Sequence, residues 1–169
     1  MKRILALIFL LPSLAVAQES QNRIIQATPT VSITPAYASN DVVGSLLTFN
    51  AACNFRTNKG EILGVKIFDK AAQAANMDLV LFSTTPTGTF TDNGAFTPAD
   101  ATLPNIVAVI PITNHSSFAD NSVSYASNIL VPASCNSSGQ LFGYLVSRAT
   151  PTYATTSDVT VQIELAPNM

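Results

Sequence analysis

Charge is scarce in this chain. Only 11% of its 169 residues are Asp, Glu, Lys or Arg, less than half of the roughly 25% usual in a soluble domain. Tryptophan is absent, histidine occurs once, at His115, and cysteine twice, at Cys53 and Cys135. Each shortage removes a class of function. A lone histidine excludes a multi-histidine metal site within one chain, and two cysteines without CxxC or Cys/His spacing match neither a zinc site nor a redox motif. No GxSxG elbow marks a serine hydrolase, and without Trp or a dense aromatic platform, sugar stacking has little to rest on. Long apolar runs are missing too. The run from Ile4 to Leu11 falls far short of the roughly 20 residues that span a bilayer as a helix, so no membrane span and a soluble mature product are expected. No cofactor is expected either.

That short run nevertheless carries information. Lys2 and Arg3 precede it, and Ala15-Val16-Ala17 follows it with the small residues a signal peptidase needs. Residues 1–17 therefore read as a signal-peptide-like segment. Removing them leaves six basic residues against ten acidic ones, a net charge of −4, which argues against a nucleic-acid or anionic-membrane partner. Residues 18–29, mostly polar and without sustained periodicity, read as an arm or linker. The remainder, 30–169, has the length of a single domain.

Within that domain, short β-branched or aromatic runs alternate with clusters of Asn, Asp, Gly, Pro and Ser, the pattern of an all-β protein. The clearest strand is 159–165, where Val159, Val161, Ile163 and Leu165 alternate with Thr160, Gln162 and Glu164, so that one face enters a core. Further strands are predicted at 31–35, 42–49, 62–69, 77–83, 106–112, 123–131 and 141–148. The runs 77–82 and 106–112 are apolar at nearly every position, as in central strands covered on both faces or at a packed interface. Pro111 cannot donate a ladder hydrogen bond, which places its strand at an edge or a bulge. Turns are expected at Asn58-Lys59-Gly60, Asp92-Asn93-Gly94 and Ser137-Ser138-Gly139, with hairpins around the first and third. A single helical turn is expected at 97–100, capped by Thr97 with Pro98 in its first position. About eight strands joined this way favour a two-sheet antiparallel sandwich of jelly-roll type.

Few side chains suggest chemistry. An even cysteine count behind an export signal favours a Cys53–Cys135 disulfide; two separate buried thiols are the alternative. His115 is the one available imidazole base, in the polar stretch Thr113 to Ser117, and reads as an ordinary loop or strand-end histidine. The carboxylate pairs Asp69 with Asp78 and Asp92 with Asp100 are candidates for acid/base work or calcium, yet TDNGAFTPAD lacks calcium-loop spacing and a closing Glu. These read as turn residues. Arg56, Lys59, Lys66 and Lys70, interrupted by Glu61 and Asp69, form a modest basic cluster read as a solvated edge or interface rim. Asn114-His115-Ser116 and Asn136-Ser137-Ser138 match the N-glycosylation pattern, relevant only in a eukaryotic host. No catalytic, cofactor-binding or metal-binding residue is assigned, and an enzyme is not expected.

Three stretches, ASNDVVGSLLTF (38–49), MDLVLFSTTPTGTFTDNGAF (77–96) and ATPTYATTSDVTVQIEL (149–165), resemble the small structural proteins of tailed bacteriophages and prophages that decorate or stabilise the virion. The resemblance spans most of the domain and rests on strands and turns, so it carries over no functional residue. It implies a non-enzymatic virion protein that contacts other virion proteins and forms a homo-oligomer. Tailed-phage virions assemble in the cytoplasm, however, where an export signal removes a protein from the shell and disulfides rarely form. The alternative is an exported periplasmic or cell-surface binding or adhesion module stapled by Cys53 and Cys135.

Overall fold

The computed structural model describes residues 22–166, so the signal-peptide-like segment lies outside the described residues. Among the described residues eleven strands form rather than the expected eight: β1 (Arg23–Ala27), β2 (Val42–Phe49), β3 (Lys59–Asp69), β4 (Met77–Phe82), β5 (Gly88–Thr89), β6 (Thr97–Pro98), β7 (Ile106–Ile112), β8 (Asn114–Ser117), β9 (Ser122–Ser134), β10 (Leu141–Ser147) and β11 (Val159–Leu165). Among them, β1 pairs with β11, β2 with β10, β3 with β9 and β4 with β7, all antiparallel. The chain is thus a doubled ribbon, four strands out and four back, whose successive rungs fall alternately in two sheets. Rolling that ribbon gives the orders β1-β11-β3-β9-β8 and β2-β10-β4-β7. This is the jelly roll the sequence predicts, with β8 added at one edge and the small β5-β6 hairpin at the ribbon's tip.

The two sheets meet over a core of alternate residues. Leu47 and Phe49 on β2, Ile62, Val65 and Ile67 on β3, Leu79 and Leu81 on β4, and Val161, Ile163 and Leu165 on β11 are all buried. Beyond this core, the outer face of the four-stranded sheet carries a second one. Val42, Val80, Phe82, Phe142, Tyr144 and Val146 are covered there by Phe90 and Phe96, from the excursion between β4 and β7. Phe90 stacks on Tyr144 with ring centroids 4.6 Å apart, and burial raises the Tyr144 pKa above its usual value. A sheet apolar on both faces explains why β4 reads as continuous rather than alternating. β10 is likewise buried at every position.

Several sequence expectations change in detail. The segment 18–29 is not wholly an arm, because β1 forms within it as an edge strand against β11. Residues 31–35 are not a strand: the Val31 and Ser32 amides donate to the Thr156 carbonyl and the Tyr37 hydroxyl instead of a ladder partner. β7 is an edge rather than central, with Val109 53% exposed, which is where Pro111 fits best. The helical turn comes later and as a 3-10 helix, Asp100–Asn105, while Thr97 and Pro98 belong to β6. Tight turns do form at Asn58 and Gly139, both at positive φ. They make no hairpins, since β2 and β3, like β9 and β10, lie in different sheets.

The register fixes two ends. The start of β1 and residues 50–58 and 135–140 share one end; residues 28–41, 70–76, 113–121 and 148–158 share the other.

Candidate functional site

At the first end, Cys53 and Cys135 form a disulfide with Cα atoms 6.0 Å apart, closing a sequence separation of 82. The loops it joins also meet through their backbones: the Ala52 and Cys53 amides donate to the Gly139 carbonyl, and the Cys135 amide to that of Asn58. Neither thiol is free. Next to the staple, Phe55 is 76% exposed with the Arg56 guanidinium over its ring, 5.7 Å from the centroid.

At the opposite end, His115 on β8 is held on both sides. Its Nδ1 lies 2.7 Å from Ser124 Oγ and its Nε2 2.7 Å from Asn76 Oδ1. With hydrogen on Nε2, the ring donates to Asn76 and accepts from Ser124, so both nitrogens are satisfied. Serine, imidazole and amide in a row have the outline of a hydrolase relay. The placement defeats it, because Ser124 is buried against β8 and does not line the groove of about 290 Å³ that runs past His115 between residues 73–76 and 149–151.

Three of the four candidate carboxylates are committed elsewhere. Asp69, at the end of β3, accepts the amides of Ala71, Gln73 and Ala74, which shapes the turn into β4. Asp78 receives two nitrogens of Arg148, at 2.9 and 2.7 Å. Asp92 accepts the hydroxyls of Ser32 and Tyr37 and the Gly44 amide, tying residues 28–44 to the excursion over the second core. Asp100 opens the 3-10 helix in an exposed position. Neither predicted pair forms a shared site, and among the described residues no group of three or more His, Cys, Asp or Glu side chains is placed to hold a metal.

The sequence did not single out Asp158 or the buried tyrosines. For Asp158, burial pushes the pKa up, but the Thr155 hydroxyl, the amides of Thr155 and Ala154, and nearby Lys70 outweigh it and hold the carboxyl below its usual value. Tyr37 and Tyr153 meet edge-on in the core, 5.8 Å between ring centroids. Burial raises both pKa values strongly, helped by Asp92 at Tyr37 and by Asp69 at Tyr153. The Tyr153 hydroxyl is buried with no hydrogen-bond partner among the described residues.

The basic residues do not converge. Lys59 and Lys70 flank the whole length of β3 at opposite ends, roughly 35 Å apart at strand rise, where they donate to Ser134 Oγ and to the Ser157 carbonyl. Lys66 stands between them on the outer face of the five-stranded sheet. There Gln26, Gln162, Lys66, Tyr125 and Asn114 form one row across all five strands. Of the two sequon asparagines, Asn114 is exposed, whereas Asn136 is engaged with Gln140 and Ser138.

Some large apolar side chains also face outward. Ile24, Phe55, Phe118 and Leu130 are each 60% exposed or more. Leu130 sits in a bulge where residues 128–130 oppose Leu63 alone, and it holds a φ of 45°, uncommon for a leucine. In sequence these residues fall outside any strand period or inside polar loops, which is the signal that marks them. Compared with known proteins, the chain matches no family model and no curated sequence.

Proposed function

We propose that this jelly roll is a non-enzymatic virion structural or decoration protein of a tailed phage or prophage, working through surface contact with copies of itself and with other virion proteins. One observation carries the reading. The histidine, both cysteines and the buried carboxylates are all spent on internal bonds, while bulky apolar side chains face outward. A surface of that kind lowers its free energy by being covered. The resemblance of residues 38–49, 77–96 and 149–165 to phage structural proteins supports the same reading.

The disulfide favours a second reading, an exported periplasmic or cell-surface binding module, because such bonds persist in oxidising compartments. The described residues contain no helix long and apolar enough to cross a membrane, which speaks only of helices. Mass spectrometry of the protein as it occurs naturally separates the two. An intact N-terminal segment on protein that sediments with phage particles supports the virion role. A chain beginning at Gln18, fully oxidised and absent from particles, overturns it in favour of export.

A further inference from the structure

We infer that β1 is a docking edge and that its occupant is the β1 strand of a second copy, joined antiparallel about a twofold axis. This inference rests on the surface-contact reading and names the surface involved.

Two sheets in an open sandwich have four edges, and an unguarded edge pairs with whatever strand it meets. Three of them are guarded here. β2 is overlaid by residues 29–31: the Ser45 amide donates to the Thr30 carbonyl, and a Cβ added at Gly44 would lie 2.7 Å from the Pro29 Cβ. β7 carries Pro111, which has no amide hydrogen to offer. β8 is four polar residues long, Asn-His-Ser-Ser. β1, Arg-Ile-Ile-Gln-Ala, is more apolar than β8, lacks the proline of β7 and, among the described residues, pairs on one side only. Its five residues offer roughly 17 Å of extended backbone. Ile24 on its outer face is 60% exposed, while Ile25 and Ala27 pack partly against the core at the sandwich's open side.

The charges and side chains of β1 suit self-pairing. Placing Ile25 opposite Ile25 of the second copy sets Ile24 against Gln26 and Arg23 against Ala27. The two guanidinium groups then lie at opposite ends of the ladder, roughly 13 Å apart along the strands, and no like charges face each other. The two Ile25 side chains meet on the core side, closing both open margins, and the five-stranded sheets become one sheet of ten. A twofold axis requires this reciprocity, with the same patch used on both subunits.

Sedimentation equilibrium on the full disulfide-bonded chain, with hydrogen exchange on the same samples, tests the inference. A dimer is expected, weakened tenfold or more by Ile24→Lys, which places a charge on the edge and removes no core contact. Ile33→Lys, a like substitution at the far end, leaves the dimer unchanged. In the wild type, β1 amides exchange slowly in the dimer and fast on dilution. A chain monomeric at every concentration overturns the inference, as does a dimer indifferent to Ile24→Lys whose β1 amides exchange alike in both states. A monomer that still travels with particles overturns this inference while leaving the surface-contact reading standing; a β1-paired dimer never found on particles does the reverse.

Discussion

The Tyr37 hydroxyl donates to Asp92 Oδ1 at 2.7 Å, linking residues 55 apart in sequence. The same carboxylate receives the Ser32 hydroxyl and the Gly44 amide, so one side chain anchors the β1–β2 connection to the flap that covers the second core. Asp92→Ala leaves a buried tyrosine hydroxyl and two further donors unmatched, a loss of about 2 to 3 kcal/mol. Urea unfolding measures it. Because the flap is what shields Phe82 and Tyr144, the variant is also expected to bind a hydrophobic dye before global unfolding.

Tyr153 is the contrasting case. Its hydroxyl is buried with no partner among the described residues, so Tyr153→Phe removes a desolvated polar group at no cost in bonding. Stability is expected to be unchanged or to rise, whereas Tyr37→Phe lowers it. Both tyrosines also set an alkaline limit. Their folded pKa values are raised from 10.0, so above pH 10 the unfolded chain releases protons that the native one retains, and stability falls as pH rises. Melting temperature followed from pH 8 to 12 tests this, and Tyr153→Phe reduces the slope.

The acid side has the opposite sign. Asp158 is held below its ordinary 3.8 by its hydrogen bonds, so its contribution is complete above that value and is lost as pH falls through the lower folded value. Asp158→Asn is expected to lower stability at pH 7 and to flatten the acid limb of the stability curve below pH 4. A pH series of urea midpoints on both proteins provides the comparison.

Opening the disulfide frees a loop whose closure is worth about 4 to 5 kcal/mol in the chain-entropy model. The paired change of Cys53 and Cys135 to serine is therefore expected to lower the melting temperature by about 10 °C or more. Backbone bonds between the same two loops keep the fold. Reduction of the wild type reproduces the shift, which calorimetry reads directly.

How much of this was legible depended on whether a segment's partner lay in its own pattern. β2 and β11 were readable to the residue, since apolar and turn residues bound them locally. β1 was not, because the short Arg-Ile-Ile-Gln-Ala run becomes a strand only by pairing with β11, more than 130 residues away. β8 lacks apolar alternation altogether and is held through β9 and the two bonds of His115. For the candidate surface, the sequence made the disulfide readable. It did not reveal that one outer sheet face is covered by the chain's own flap while, among the described residues, no such flap covers the other. That asymmetry follows from where residues 83–105 fold back, a tertiary event with no local code.

Hydrogen exchange on the protein free and within the particle or assembly it co-purifies with tests the central claim most directly. Action by surface contact predicts new protection along sheet edges and around Ile24, Phe55 and Leu130, with the groove beside His115 unchanged. Protection confined to that groove, and none at the edges, would contradict it.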